Sequence, residues 1–125
     1  MYSFAQRQDT VVVDEPLYAH YLTRSPAKPL HPGADDILSS MEVNGEKVIE
    51  GMQKEGKKQV TFFKNMSHHL IGLDWDFMKS GANVILTRDP KDMLMSFSEV
   101  IEEPQMSDIG YAIQLELLDY FTSIK

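Results

Sequence analysis

The chain has 125 residues, of which 42% are hydrophobic and 25% are charged, and its formal net charge at pH 7 is −7. This length suits one domain, no apolar run reaches the length of a membrane span, and the acidic balance argues against a general nucleic-acid binder. The absence of cysteine excludes disulfides, thiolate catalysis and thiolate metal sites, and it fits the reducing environment of the cytoplasm, where we expect the protein.

The first half of the chain predicts a helix end, a strand and a longer helix beyond a loop. Residues 1–7 (MYSFAQR) are typical of the last turns of a helix, and the β-branched run at residues 11–13 predicts a strand. A short helix or turn follows through Tyr21, and residues 23–33, which contain three of the six prolines, predict a loop. Apolar residues at helical spacing then predict a helix from residue 35 to about residue 54.

The second half predicts two more strands, each followed by a helix. Residues 60–63 (VTFF) are a predicted strand that leads to Lys64, and a polar loop at residues 65–69 precedes a short helix at residues 70–78. The apolar run at residues 84–86 predicts another strand, and Asp89 followed by proline predicts a capped helix start. An amphipathic helix is expected at residues 108–124.

The alternation of strands and helices predicts an α/β fold, with a parallel sheet covered by helices on both faces in three layers. We expect residues 11–13, 60–63 and 84–87 to be parallel strands of one sheet. Three strands make a thin sheet, so a further strand belongs at an edge that this chain leaves open. An exposed edge of this kind favours self-association.

Arg88 and Ser96 form the first candidate binding site. Arg88 lies at the carboxyl end of a predicted strand, where ligands bind in open α/β sheets, and the helix start beside it favours anions. Ser96 follows eight residues later, so a folded-back turn brings the guanidinium and the hydroxyl onto one phosphate. The alternative is a structural salt bridge for Arg88 and an ordinary helical position for Ser96.

Three segments in order resemble the sulfotransferases of the P-loop superfamily, in a group sometimes named aminotransferase-like. They are DEPLY at residues 14–18, FFKNMSHH at residues 62–69, and the stretch from Arg88 to Ser96-Phe97. The resemblance implies that Arg88 and Ser96 hold the 3′-phosphate of 3′-phosphoadenosine 5′-phosphosulfate. It also implies that residues 1–125 are one partial domain, a shortened fragment that lacks the family's phosphosulfate loop and first strand.

The resemblance further implies catalytic roles at the ends of the first two strands. Lys64 would face the phosphosulfate, and His68 or His69 would take the proton of the acceptor, since histidine titrates near neutral pH. The family's usual histidine position, two residues after the lysine, is Met66 here, and of the two histidines we favour His68. Glu15 would orient the acceptor or the base.

Each of these residues also has a plainer interpretation. Lys64 is otherwise an exposed lysine, the two histidines a loop or capping pair, and Asp14 and Glu15 caps of a helix that begins near Pro16. A histidine pair also suggests a metal, but no further ligand has suitable spacing and the family uses none. Five aromatic residues line an acceptor or adenine pocket or, more commonly, belong to the core: Tyr18, Tyr21, Phe62, Phe63 and Trp75.

The predicted function is transfer of a sulfuryl group from the nucleotide donor to a small hydroxyl or amine acceptor, weak or absent in this chain alone. The alternative is a non-catalytic remnant of the same fold that binds a nucleotide or a protein partner. A nucleotide kinase is disfavoured because no Gly-x-x-x-x-Gly-Lys-Ser/Thr loop is present. We expect neither nucleic acid nor a membrane as a partner.

Overall fold

The computed structural model describes residues 1–26, 31, 33–54, 56, 58–99 and 109–124. These residues belong to two compact units, Met1–Ser80 and Gly81–Lys125. Residues 27–30 and 32 of the loop predicted at residues 23–33, and the predicted start of the last helix at Asp108, lie outside the described residues. None of the described helices has both the length and the apolar character that crossing a membrane requires.

The first unit is built around two parallel strands, β1 (Thr10–Asp14) and β2 (Val60–Lys64). Both predicted strands and their parallel direction are therefore confirmed. The register pairs Thr10 with Val60 and Asp14 with Lys64. The pairing continues one residue farther, because the backbone N–H of Glu15 donates to the carbonyl of Lys64 at 2.7 Å. Asp14, Glu15 and Lys64 thus lie together at the carboxyl end of the sheet.

The first unit also contains short helices. They are α1 (Tyr2–Ala5), α2 (Tyr18–Arg24), α3 (Ala34–Ser40), α4 (Gly45–Gln53) and two 3-10 helices, Ser67–Leu70 and Asp76–Ser80. The helical end predicted at residues 1–7 and the short helix predicted after the first strand are confirmed. In α2, four consecutive residues from Ala19 to Leu22 are buried. Together with Leu17 and Leu70 they form the core of this unit.

Two predicted helices of the first unit are wrong in their extent. The helix predicted at residues 35–54 is interrupted, since α3 ends at Ser40 and α4 begins after Asn44. The Asn44 side chain accepts a hydrogen bond from the Lys47 N–H at 3.1 Å, so it caps a new helix instead of continuing the old one. The helix predicted at residues 70–78 is replaced by the two 3-10 helices, with Gly72 between them in the left-handed region (φ 68°).

The second unit contains α5 (Pro90–Ser98) and α6 (Tyr111–Ser123), with Ile109 and Leu117 buried. The predicted start of α5 is confirmed: the Asp89 side chain accepts from the Lys91 N–H at 2.8 Å, and Pro90 occupies the first helical position. Met93 and Phe97, one turn apart, are half-buried, whereas Ser96 is exposed.

The third predicted strand is wrong, because residues 82–89 form no strand. Val84 and Leu86 are 88% and 86% exposed. An apolar run of three residues becomes a strand only where a neighbouring strand supplies ladder hydrogen bonds, and within the described residues the sheet has two strands. The structure therefore shows an incomplete α/β arrangement with a small parallel sheet, and the three-layer arrangement stays a prediction.

Candidate functional site

Lys64 lies between two carboxylates at the carboxyl ends of β1 and β2. Its ammonium donates to Glu15 Oε1 and lies 3.5 Å from Asp14 Oδ1. The parallel register produces this arrangement, because Asp14 pairs with Lys64 and the Glu15 N–H bonds to the Lys64 carbonyl. The Lys64 side chain is 38% exposed, so these ion pairs orient the ammonium more than they stabilise the fold.

The backbone of Glu15 has an unusual conformation. Its φ of 44° lies in the left-handed region, which residues other than glycine, asparagine and aspartate rarely adopt. Such a conformation costs about 1–3 kcal/mol and persists only where the surroundings impose it. Here the surroundings are the bond from the Glu15 N–H to the Lys64 carbonyl and the contact between the two side chains. The chain thus turns from β1 towards α2 with the Glu15 carboxylate on Lys64.

His69 is enclosed by aromatic rings beside this cluster. Its side chain is buried and stacks on Tyr18 at 5.2 Å and on Tyr21 at 4.8 Å, measured between ring centroids. Burial, with smaller effects of His68 and Lys64, lowers the pKa of His69 to about 3. Its Nδ1 has no hydrogen-bond partner among the described residues. His69 is therefore a neutral imidazole at pH 7 and a poor proton acceptor.

His68 is the more accessible of the two predicted histidines. It is half-buried, whereas His69 is 2% exposed. The His68 ring contacts Tyr21 edge-on at 5.0 Å and lies perpendicular to the His69 ring at 4.8 Å. These contacts restrict the orientation of the His68 ring while part of its surface stays open to a ligand.

Two further histidines belong to the same region, and sequence reasoning missed both. His31 Nδ1 is hydrogen-bonded to the hydroxyl of Tyr18 at 2.8 Å. Burial, with a smaller effect of Tyr21, raises the pKa of that hydroxyl, so it stays protonated at neutral pH. His20 is buried, and its Nε2 donates to the Ile71 carbonyl at 2.9 Å. No spacing in the sequence links these residues to residues 68–69.

Four histidines come together in this region. All four histidines of the chain belong to this region, since His20, His31 and His68 each lower the pKa of His69. Nevertheless, in the part of the chain that the structure describes, no three histidine, cysteine, aspartate or glutamate side chains are arranged to hold a metal ion. The rings instead pack face to face and edge to face with Tyr18 and Tyr21.

Arg88 and Ser96 lie in the second unit. Arg88 directly precedes Asp89, the cap of α5, and Ser96 lies within α5; both are exposed. No hydrogen bond or ion pair within the described residues engages the Arg88 guanidinium or the Ser96 hydroxyl. Both side chains are exposed, whereas two carboxylates already contact the Lys64 ammonium.

Three of the aromatic residues named from the sequence have ring contacts: Phe62, Tyr18 and Tyr21. Phe62 stacks on Phe4 of α1 at 4.2 Å, with the ring planes 18° apart, which ties α1 to the sheet. Tyr18 and Tyr21 surround His69 as described above. The plainer interpretation, a core residue, applies to Tyr21, whereas Tyr18 and Phe62 are half-buried.

The chain was compared with protein-family models, with curated proteins and with solved structures. A family model described as a sulfotransferase domain matches residues 1–124. The branched-chain-amino-acid aminotransferase-like proteins 1 and 2 of Arabidopsis thaliana are each 43% identical to this chain, over 112 and 102 residues. These matches cover 88% and 80% of the chain but 20% and 18% of the two relatives, so the chain spans about a fifth of their length. No solved structure matches the chain.

Proposed function

Because the chain belongs to the sulfotransferase domain family, we propose that it serves sulfuryl transfer from 3′-phosphoadenosine 5′-phosphosulfate to a small hydroxyl or amine acceptor. The observation that carries the proposal is the family match over residues 1–124. It is supported by Lys64 at the carboxyl end of the sheet, whose ammonium is oriented by two carboxylates. Ligands of open α/β folds bind at that end.

The reaction needs a cation where negative charge develops and a base for the acceptor. The acceptor oxygen or nitrogen attacks sulfur, the bond from sulfur to the phosphate oxygen breaks, and adenosine 3′,5′-bisphosphate leaves. Like phosphoryl transfer, this chemistry depends on positioning and electrostatic stabilisation. Lys64 supplies the cation, and Glu15 orients it through the contact between their side chains.

His68 is the better base of the two histidines. The low pKa of His69 and its burial among aromatic rings keep it neutral and closed to an acceptor. His68 is partly accessible, and its ring is oriented by Tyr21 and His69. In this proposal His68 takes the acceptor proton and His69 supports the ring of its neighbour.

Arg88 and Ser96 are proposed to bind the 3′-phosphate of the nucleotide. Their accessibility supports this assignment, because neither side chain must leave a partner among the described residues before it binds. Isothermal titration with adenosine 3′,5′-bisphosphate tests it. We expect Arg88→Ala to weaken binding by roughly 1.5–3 kcal/mol, the range for a charge-assisted hydrogen bond. Arg7→Ala is the control, since Arg7 pairs with Asp9 at 2.6 Å; an unchanged affinity in Arg88→Ala removes Arg88 from the site.

We also propose that the 125-residue chain alone transfers sulfate slowly. Its sequence contains no stretch that resembles the family's phosphosulfate loop, and losing one preorganised donor commonly costs about 2.7–4 kcal/mol of transition-state stabilisation. The test compares this chain with a form lengthened at its amino end through that loop, using labelled donor and a panel of phenols, alcohols and amines. Equal rates would contradict the proposal. In the lengthened form, Lys64→Ala and His68→Gln should lower kcat about a hundredfold or more.

A non-catalytic nucleotide-binding or protein-interaction role is the second candidate. The contacts of the Lys64 ammonium with Glu15 and Asp14 favour it, because a cation already neutralised by carboxylates stabilises developing charge less well. Binding of the bisphosphate by the lengthened form without turnover of any acceptor would support this role over catalysis.

A further inference from the structure

Two side chains of α6 donate hydrogen bonds to the segment that ends at Arg88. The Tyr111 hydroxyl donates to the backbone carbonyl of Arg88, and Gln114 Nε2 donates to that of Leu86 at 3.4 Å. Tyr111 and Gln114 are three residues apart in a helix, so they share one face. Their acceptors, the carbonyls of Leu86 and Arg88, are two residues apart in a segment without regular secondary structure. The two side chains therefore bind two nearby carbonyls of one segment.

The hydrogen bonds from Tyr111 and Gln114 take the place of the hydrogen bonds that a neighbouring strand would supply. Because residues 82–89 pair with no strand in the described structure, the carbonyls of Leu86 and Arg88 have the α6 side chains as their partners. Asp89 then caps α5 immediately after Arg88. The backbone of Arg88 is thus held on one side by Tyr111 and on the other by the start of a helix, while its guanidinium stays accessible.

We infer that Tyr111 and Gln114 are positioning residues that direct Arg88 to the 3′-phosphate of the nucleotide. The inference rests on the proposed function, because it takes Arg88 as the phosphate ligand. Neither residue needs to touch the nucleotide. Their effect is to order the backbone before binding. The free energy of nucleotide binding then does not have to offset the entropic cost of ordering this segment.

The test is a titration with two nucleotides that differ only in the 3′-phosphate, adenosine 3′,5′-bisphosphate and adenosine 5′-monophosphate. Tyr111→Phe removes one hydroxyl and should weaken binding of the bisphosphate about 3- to 10-fold, the factor expected for one hydrogen bond. Gln114→Leu should act in the same direction. Binding of the monophosphate should not change. Tyr2→Phe, at a tyrosine that is 82% exposed, is the matched control.

Arg88→Ala in the same series distinguishes the positioning role of Tyr111 from the phosphate-binding role of Arg88. If Arg88→Ala weakens the bisphosphate and Tyr111→Phe does not, the positioning role is overturned and the phosphate site stands. If Tyr111→Phe weakens both nucleotides equally, its role is structural and the inference is likewise overturned. If neither nucleotide binds the unaltered chain, or Arg88→Ala has no effect, the proposed site fails and the inference fails with it.

Backbone amide relaxation provides a measurement that needs no nucleotide. We expect the order parameter of the Arg88 amide to fall in Tyr111→Phe and to stay unchanged in Tyr2→Phe. An Arg88 amide that remains equally ordered without the Tyr111 hydroxyl would overturn the positioning role.

Discussion

The two adjacent histidines differ in accessibility although they follow each other in the chain. The 3-10 helix Ser67–Leu70 places His69 among the rings of α2, whereas His68 stays half-buried. Burial disfavours the charged imidazolium, so the pKa of His69 falls to about 3. Proton transfer near neutral pH therefore belongs to His68 in the proposed reaction.

The low pKa of His69 predicts a pH-dependent stability. Because the pKa is lowered from 6.5 to about 3 on folding, the unfolded chain binds a proton in that window and the folded chain does not. The free energy of unfolding should thus fall as the pH drops from 6.5 towards 3, by up to about 1.4 kcal/mol per pH unit. Urea unfolding at a series of pH values measures this slope.

His69→Phe keeps an aromatic ring in the same place and should abolish this part of the slope. His68→Gln serves as the control and should retain most of it, because burial lowers the pKa of His69 more than His68 does. If the unaltered chain and His69→Phe show the same pH dependence, His69 is not held neutral by the fold.

Glu15 combines a rare backbone conformation with a direct contact to Lys64. Strained φ values persist where the surrounding structure imposes them, and they are enriched at functional sites. The sequence offered two interpretations of Glu15, a helix cap or a carboxylate that orients the acceptor or the base. In the structure its side chain contacts the Lys64 ammonium, on a strand 49 positions away.

At the scale of elements, α4 approaches α2 closely because its first residue is glycine. A Cβ atom on Gly45 would lie 2.7 Å from His20 Nδ1 and 2.8 Å from a methyl carbon of Leu73. His20 cannot move freely, since it is buried and its Nε2 donates to the Ile71 carbonyl. The absence of a side chain at Gly45 is therefore a packing requirement.

We expect Gly45→Ala to lower the free energy of unfolding by about 1–3 kcal/mol, the usual range for overpacking. Gly51→Ala is a control within the same helix, because a Cβ atom there would meet nothing within 4 Å and alanine is the better helix former. That variant should gain about 0.5–1 kcal/mol. Urea unfolding of both proteins decides the matter, and a Gly45→Ala protein as stable as Gly51→Ala would contradict the packing argument.

At the scale of the whole molecule, the small sheet has open edges. In the part of the chain that the structure describes, β1 and β2 pair with each other and with no other strand. Unpaired N–H and C=O groups along a strand edge favour pairing with a second copy. The exposed valine Val60, at the start of β2, adds apolar surface to that edge strand.

We therefore expect the chain to associate with itself, with a sedimentation coefficient that rises with protein concentration. Val60→Lys should reduce this association, because a charge on an edge strand opposes pairing. Val43→Lys is the matched control: Val43 is 40% exposed, close to the 36% of Val60, but lies between α3 and α4. A monomer at every concentration, or an equal effect of both lysines, would count against edge pairing.

Much of the local structure could be predicted because it depends on neighbouring residues. The β-branched run at residues 11–13 and the VTFF run form β1 and β2, and Asp89 with Pro90 starts α5. These signals act through backbone preference and capping, which need no distant partner. The family could also be predicted from the sequence, because the resemblance depends on the order of short segments along the chain.

The sequence by itself thus determined the first two strands, the start of α5 and the family. Only the tertiary structure decided that Glu15 contacts Lys64, that His69 is buried and neutral, and that residues 84–87 form no strand. The physical reason is the same in each case. Ion pairing, burial and strand pairing depend on groups far apart in the chain, and their energies arise only when the fold brings those groups together.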